Sequence, residues 1–432
     1  MKTLRPLIGL MLFAGAVWAG TVPRVLPLRT QATVLDTWLT QRLETILPEI
    51  MRREQIDMWL VISREYNEDP VFLSLVPAHF FSSRRLSMLL FFDRGEKGIE
   101  KAVIARYGIP PLYQPAWAPD QTDQWECLAR AVRQRQPKKI GINEGATFAF
   151  GDGISAFLKD KLRESLGPEY ARRLVSAERL AVGWLERRLP EELETYPRIV
   201  SIAHAIIREV FSAAAITPGV TTCEDLVWLF REKSQKNGLP NWFQPTVDIQ
   251  RHGPIPDGPN PVIRRGDLLH CDFGFQYLHL NTDIQELAYI LKDDEQDAPE
   301  GLRAAIKTGN RLQDILTDEF RTGRSGNQIL LSALGKMKQE KIMGSIYSHP
   351  LGLHGHAAGP TIGLWDHQAG IPGAGDYPLF PDTCYAIELN VRATVPEWGG
   401  QEVRIGLEED AVFSGHRVVY LDDRQTRLIL VK

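Results

Sequence analysis

Along the first part of the chain the apolar positions switch repeatedly between two periods. In LDTWLTQRLETILPEIMRREQ they recur three and four apart, which predicts an amphipathic helix. IDMWLVIS, LSMLLFFD, KAVIARY and KKIGINEG are short apolar runs, and each predicts a strand. ISAFLKDKLRESLG predicts a second helix, closed by Gly167 and Pro168. Helices alternating with strands imply an α/β layer, assigned to residues 20–173. Residues 174–190 read as a helical connector.

The pattern changes over residues 191–432. PEELETYPRIVSIAHAIIREVFSAAA and CEDLVWLFREKSQKNG predict two helices, separated by a turn at Pro218-Gly219. Strand patterns then dominate, divided by Pro- and Gly-rich loops such as HGPIPDGPNP and HQAGIPGAGDYP. The expected fold is therefore an α/β unit followed by an α+β unit whose sheet is mainly antiparallel.

Composition narrows the classes. The 432 residues are 44% hydrophobic and 24% charged, with a formal charge of −4, which excludes a disordered chain and a multi-span membrane protein. No basic excess is present to condense on phosphate, so no nucleic-acid partner is expected. Lys2 and Arg5 precede an apolar run over residues 7–19 that is too short to span a bilayer. With Val17 and Ala19 at small-residue positions, residues 1–19 read as an export signal cut after Ala19. The expected location is periplasmic or secreted, with no stable membrane span after cleavage. Cys127, Cys223, Cys271 and Cys384 lie in apolar runs and read as buried thiols.

The chemistry concentrates in two hairpin-like segments. In RRGDLLHCDFGFQYLHLNTDIQELAYIL, a turn centred between Tyr277 and Leu278 would set Asp272 directly opposite Asp283. In CYAIELNVRATVPEWGGQEVRIGLEEDAVF, a turn centred on Trp398 and marked by Gly399-Gly400 sets Glu388 opposite Glu408. Arg404 shares the parity of Glu408, whereas Glu409 has the opposite parity. Close carboxylate pairs with apolar flanks repel unless a proton or cation lies between them. Four carboxylates suit two divalent ions, Mn²⁺ ahead of Co²⁺, Fe²⁺ or Zn²⁺. SIYSHPLGLHGHAAGPTIG supplies His349, His354 and His356 as candidate imidazoles, and His252 is a further one; the remaining histidines read as structural.

These segments resemble the pita-bread metallopeptidases, a family that includes methionine aminopeptidase, Xaa-Pro aminopeptidase and prolidase, with creatinase as a metal-free relative. The family order Asp, Asp, His, Glu, Glu is matched by Asp272, Asp283, His349, Glu388 and Glu408, in GDLLHCDFG, NTDIQELAYIL, SHPLGLHGH, AIEL and VRIGLEEDAVF. RLETILPEIMRREQIDMWLVIS resembles the start of a creatinase-type N-terminal domain. The resemblance implies a creatinase-like domain followed by a pita-bread catalytic domain with a curved sheet, and a homodimer. It implies that those five residues bind two metals, with Asp283 and Glu408 bridging. Glu388 would also serve as the proton carrier, with His356 and His252 on the substrate side. His354 and Arg404 are further candidate substrate contacts. The implied activity is cleavage of N-terminal or dipeptide bonds, with Xaa-Pro among them. Alternative readings are a hydrolase or lyase of a small non-peptide substrate on the same scaffold, or a non-catalytic peptide-binding protein. Four departures stand out: Arg404 is four residues before Glu408 rather than two, Leu389-Asn390 replaces the usual Pro, His354 stands where an Asp is common, and Ser345 stands where proline-specific members carry a further His.

Overall fold

A computed structural model describes residues 22–255 and 258–432. The export signal read from residues 1–19 lies outside them. Among the described residues no helix is long and apolar enough to cross a membrane.

The first unit is a six-stranded mixed sheet. Leu86–Asp93 lies centrally, antiparallel to both Met58–Arg64 and Ile99–Ala105. Ile140–Ile142 and Leu174–Ser176 continue the sheet in parallel. Met58–Arg64 is buried along almost its whole length because both faces are covered. Met58, Leu60 and Ile62 pack with Leu128 and Leu162 of the helices Gln124–Arg135 and Ala156–Ala171. Trp59 and Val61 face a second core that continues into the C-terminal half.

Two expectations change here. The helix predicted over residues 35–55 is two helices, Leu28–Glu44 and Ile46–Arg53. Pro48 sits in the first turn of the second, where its missing N–H costs nothing; within one continuous helix its ring would meet the Glu44 carbonyl. The connector is not wholly helical: Leu174–Ser176 is a strand of the first sheet, and only Glu178–Glu186 is a helix. Three residues with no periodicity become a strand only through pairing with Ile140–Ile142.

The second unit places the helices Pro190–Val210, Cys223–Lys236, Glu300–Thr317 and Gly326–Gln339 around small, mainly antiparallel sheets. Along Ile284–Ile290 the side chains alternate between two cores. Ile284, Ala288 and Ile290 join the one under Pro190–Val210, while Leu287 and Tyr289 join the one under Glu300–Thr317. This alternation gives the strand two chemically separate faces. All four cysteines are buried and free, as the sequence suggests.

Candidate metal centre

The second hairpin has the expected register. Leu389 pairs with Leu407 and the ladder runs to Val395 opposite Gln401, so Glu388 and Glu408 face each other just beyond its end. The first hairpin differs. Tyr277 pairs with Leu280, the turn is Leu278-His279, and Asp272 lies opposite Gln285 rather than Asp283. Both turn residues have positive φ, 52° and 57°, without a glycine to announce it. The displacement is two residues, which preserves parity. Asp283 therefore remains on the face of Asp272 as a diagonal neighbour.

The carboxylates collect where three sheets break and meet. Asp272 lies in Leu268–Phe273, and Asp283 immediately precedes Ile284–Ile290. Glu388 sits in the crossing from Thr383–Ala386 to Leu389–Val395, and Glu408 in the crossing from Gln401–Leu407 to Asp410–Phe413. The Gln285 N–H donates to the Glu408 carbonyl at 3.1 Å and ties this crossing to the first hairpin. His349 opens the strand His349–Leu351 and pairs with Ala386.

The donor atoms converge. His349 Nε2 lies 3.4 Å from Glu408 Oε1, 3.5 Å from Asp283 Oδ2 and 3.9 Å from Glu388 Oε2. Asp272, Asp283 and Glu408 place one oxygen each within 4.8 Å of one another. Two ligand atoms each about 2.1 Å from one cation lie roughly 3–3.5 Å apart, and the His349 contacts to Glu408 and Asp283 have that spacing. His349 Nδ1 lies 3.0 Å from the Pro350 carbonyl, which places the proton there and leaves Nε2 facing the acids.

Hydrogen bonding does not satisfy this shell. Asp272 Oδ1, Glu408 Oε1 and His349 Nε2 are buried without a hydrogen-bond partner. Burial raises Asp272 to about 6 and Glu388 to about 7. Burial, then Asp272 and Glu388, push Asp283 well above the usual carboxylate range; burial, then Asp283, do the same to Glu408. At His349 burial works downward but the facing Glu408 and Glu388 outweigh it, holding the ring at about 9. A group that cannot ionise alone, beside orphaned donors of the right chemistry, fits divalent cations.

A supporting layer was not legible as such in the sequence. Gln285 Nε2 donates to Glu388 Oε1 at 2.6 Å and to Glu408 Oε2 at 2.7 Å. His270 Nε2 lies 2.9 Å from Gln285 Oε1, and its Nδ1 lies 3.1 Å from Asp248 Oδ2. This chain fixes the Gln285 amide with its nitrogen towards the acids. His270, read as structural, thus belongs to the site's support. Strand parity was the available signal, since residues 270, 272, 283 and 285 share one face. Gly406 makes room for this layer: a Cβ there would lie 2.8 Å from His270 Nε2 and 3.0 Å from Gln285 Oε1. Gly406→Ala is expected to lower activity and metal affinity about 10–100-fold with the fold retained, measured by kcat/KM and metal titration. Wild-type values would contradict the assigned role.

The remaining candidates divide. The His356 ring is 4.7 Å from that of His349, edge-on, and 5.1 Å from Trp242, whose indole N–H donates to the Thr282 carbonyl at 2.9 Å. Trp242 is a wall of the site that sequence reasoning missed. Desolvation, then His349, lower His356 to about 4, so it is neutral at pH 7. The His354 ring instead lies against Phe150 of the first unit, tilted, with centroids 4.4 Å apart. Arg404 donates from Nη2 to the Tyr347 hydroxyl at 2.7 Å, and its charge favours ionisation of Asp272 and Glu388. The structure does not bring His252 to the centre. Thr246 is the residue opposite Asp272, and His252 lies six positions further, about 20 Å along extended chain. His252 is exposed and stacks on Trp398 at the tip of the second hairpin, 6.4 Å away. Glu409 turns to the opposite face, as its parity predicts, and meets His204.

A buried His/carboxylate shell where antiparallel sheets meet fits a metal-dependent hydrolase. The profile of metallopeptidase family M24 matches residues 198–413, half of the chain, and the chain belongs to that family. It is a metallopeptidase with the pita-bread fold. No curated protein sequence matches it significantly. Solved structures resemble it at low identity. An X-Pro aminopeptidase from Thermotoga maritima MSB8 is 16% identical with a TM-score of 0.62, over 89% of this chain and 100% of that one. A Xaa-Pro dipeptidase from Bacillus anthracis is 17% identical with a TM-score of 0.58, over 90% and 99%. The N-terminal domain of FACT complex subunit SPT16 from Cicer arietinum is 11% identical with a TM-score of 0.54, over 92% and 99%.

Proposed function

We propose that this metallopeptidase uses two divalent cations to remove N-terminal residues from peptides or to split dipeptides, with Xaa-Pro bonds among its substrates. The observation that carries the reading is the convergence of Asp272, Asp283, His349, Glu388 and Glu408, with three of their buried ligand atoms unpaired. The oxygen-rich set favours Mn²⁺. Bound cations would supply Lewis acidity and lower the pKa of the attacking water.

The chain's own groups do the rest. Glu388 takes the proton of the attacking water and returns it to the leaving nitrogen. His356, neutral and beside His349, donates a hydrogen bond to the developing oxyanion of the scissile carbonyl. Gln285 holds Glu388 and Glu408 in place. Residues 1–19 support export, so the working location proposed is the periplasm or the exterior.

A second reading, a hydrolase or lyase of a small non-peptide C–N compound, is favoured by Ser345. Its hydroxyl accepts from Asn390 Nδ2 at 2.7 Å and is absorbed by the framework where proline-specific relatives carry an imidazole. A Mn²⁺-reconstituted assay against Xaa-Pro and Xaa-Ala peptides separates the two. Cleavage of Xaa-Pro peptides, lost with chelator, is the expected result. Cleavage of Xaa-Ala alone would remove proline from the proposal. No cleavage with metal bound at the centre would favour the second reading.

A further inference from the structure

A second cluster of metal-ligating side chains lies on the other face of the same strands. His204 comes from the helix Pro190–Val210, Glu286 from Ile284–Ile290, and Glu409 from the crossing next to Glu408. They are 2%, 6% and 0% exposed. Their donor atoms lie within 4.8 Å of one another. His204 Nε2 is 3.1 Å from Glu409 Oε2 and 3.9 Å from Glu286 Oε1. Strand parity separates this cluster from the catalytic one: Asp283 and Gln285 point one way, Glu286 the other.

Three features give it the form of a ligand shell rather than a chance gathering of acids. His204 Nδ1 lies 2.8 Å from Asp422 Oδ2, so a carboxylate orients the imidazole and assigns the proton to Nδ1. Nε2 then faces two carboxylates, an arrangement that needs a proton or a cation between them. Glu409 is itself braced, its second oxygen accepting the Gln425 N–H at 2.6 Å. Finally, Glu286 Oε2 is buried with no hydrogen-bond partner, although Glu286 is aimed at His204. Three acids, Glu286, Glu409 and Asp422, thus surround one imidazole, with Arg208 one helical turn on as a nearby compensating charge.

We infer that His204, Glu286 and Glu409 form a structural divalent-cation site, separate from the catalytic centre, with Asp422 as the outer carboxylate that orients the histidine. One imidazole and two carboxylates are a borderline set that suits Zn²⁺. A cation there would fasten the Pro190–Val210 helix and the C-terminal loop to the back of the two segments that carry Asp283 and Glu408.

The test isolates this site from the other. The full chain carrying Asp283→Asn and Glu408→Gln is stripped with chelator, re-dosed with ZnCl₂ and analysed for metal and for its thermal unfolding midpoint. One bound equivalent and a raised midpoint are expected. Adding Glu286→Gln or His204→Gln should weaken Zn²⁺ binding at least about tenfold and abolish the rise. No stoichiometric uptake by the folded double variant, or uptake indifferent to both added substitutions, would overturn the inference; a protonated His204 would then be the occupant. Should the double variant not fold, zinc-edge anomalous diffraction from wild-type crystals decides. A peak beside His204 Nε2 and Glu286 supports the site, and none there overturns it. Peptidase activity enters none of these readouts.

Discussion

Glu388→Ala is expected to lower kcat/KM by about 10³-fold or more while leaving the fold intact. The residue holds two duties on one carboxylate. One oxygen accepts from Gln285 at 2.6 Å, and the other faces His349 Nε2 at 3.9 Å. Removing it costs both a metal ligand and the proton carrier. The two losses separate experimentally: excess Mn²⁺ would restore occupancy, and activity should still not return. A variant turning over at near the wild-type rate would remove Glu388 from the mechanism.

Stripping the metal is expected to invert the protein's response to pH. Glu388 rises from 4.5 to about 7 when folded without a cation, so its contribution is fully present below about pH 4.5 and is lost as pH climbs through 7. His349, raised from 6.5 to about 9, acts in the same direction: its stabilisation is present below about 6.5 and lost through 9. For Glu388 alone the swing is about 3 kcal/mol. Stripped protein should therefore unfold at a lower temperature at pH 9 than at pH 5. Loaded protein should do the opposite, because cations compete with protons for the same atoms. Calorimetry of both forms across this range checks the crossing. Parallel curves for stripped and loaded protein would contradict a cation-dependent centre.

Much of this centre was legible because strand parity survives errors of register. Glu388 and Glu408 face each other because Gly399-Gly400 marks the turn, and a turn fixes a ladder. Asp272 and Asp283 were paired across the wrong turn, since Leu278 and His279 adopt positive φ without glycine, yet they kept a common face. What the sequence hid is what depends on distance in space. Gln285 and His270 lay on the correct face but only contacts reveal that one amide braces two acids. Nothing local links His204 to Glu409, or Trp242 to His356. His252 is the converse case. The resemblance put it on the substrate side, while the ladder through Thr246 and Asp272 carries it towards the tip of the second hairpin. The fold alone does not decide chemistry either, and the ligand set carries that weight.

The decisive measurement is manganese-edge anomalous diffraction from crystals grown with Mn²⁺. Two peaks are predicted among the side chains of Asp272, Asp283, His349, Glu388 and Glu408. Ordered density for those five side chains with no anomalous peak between them would contradict the account.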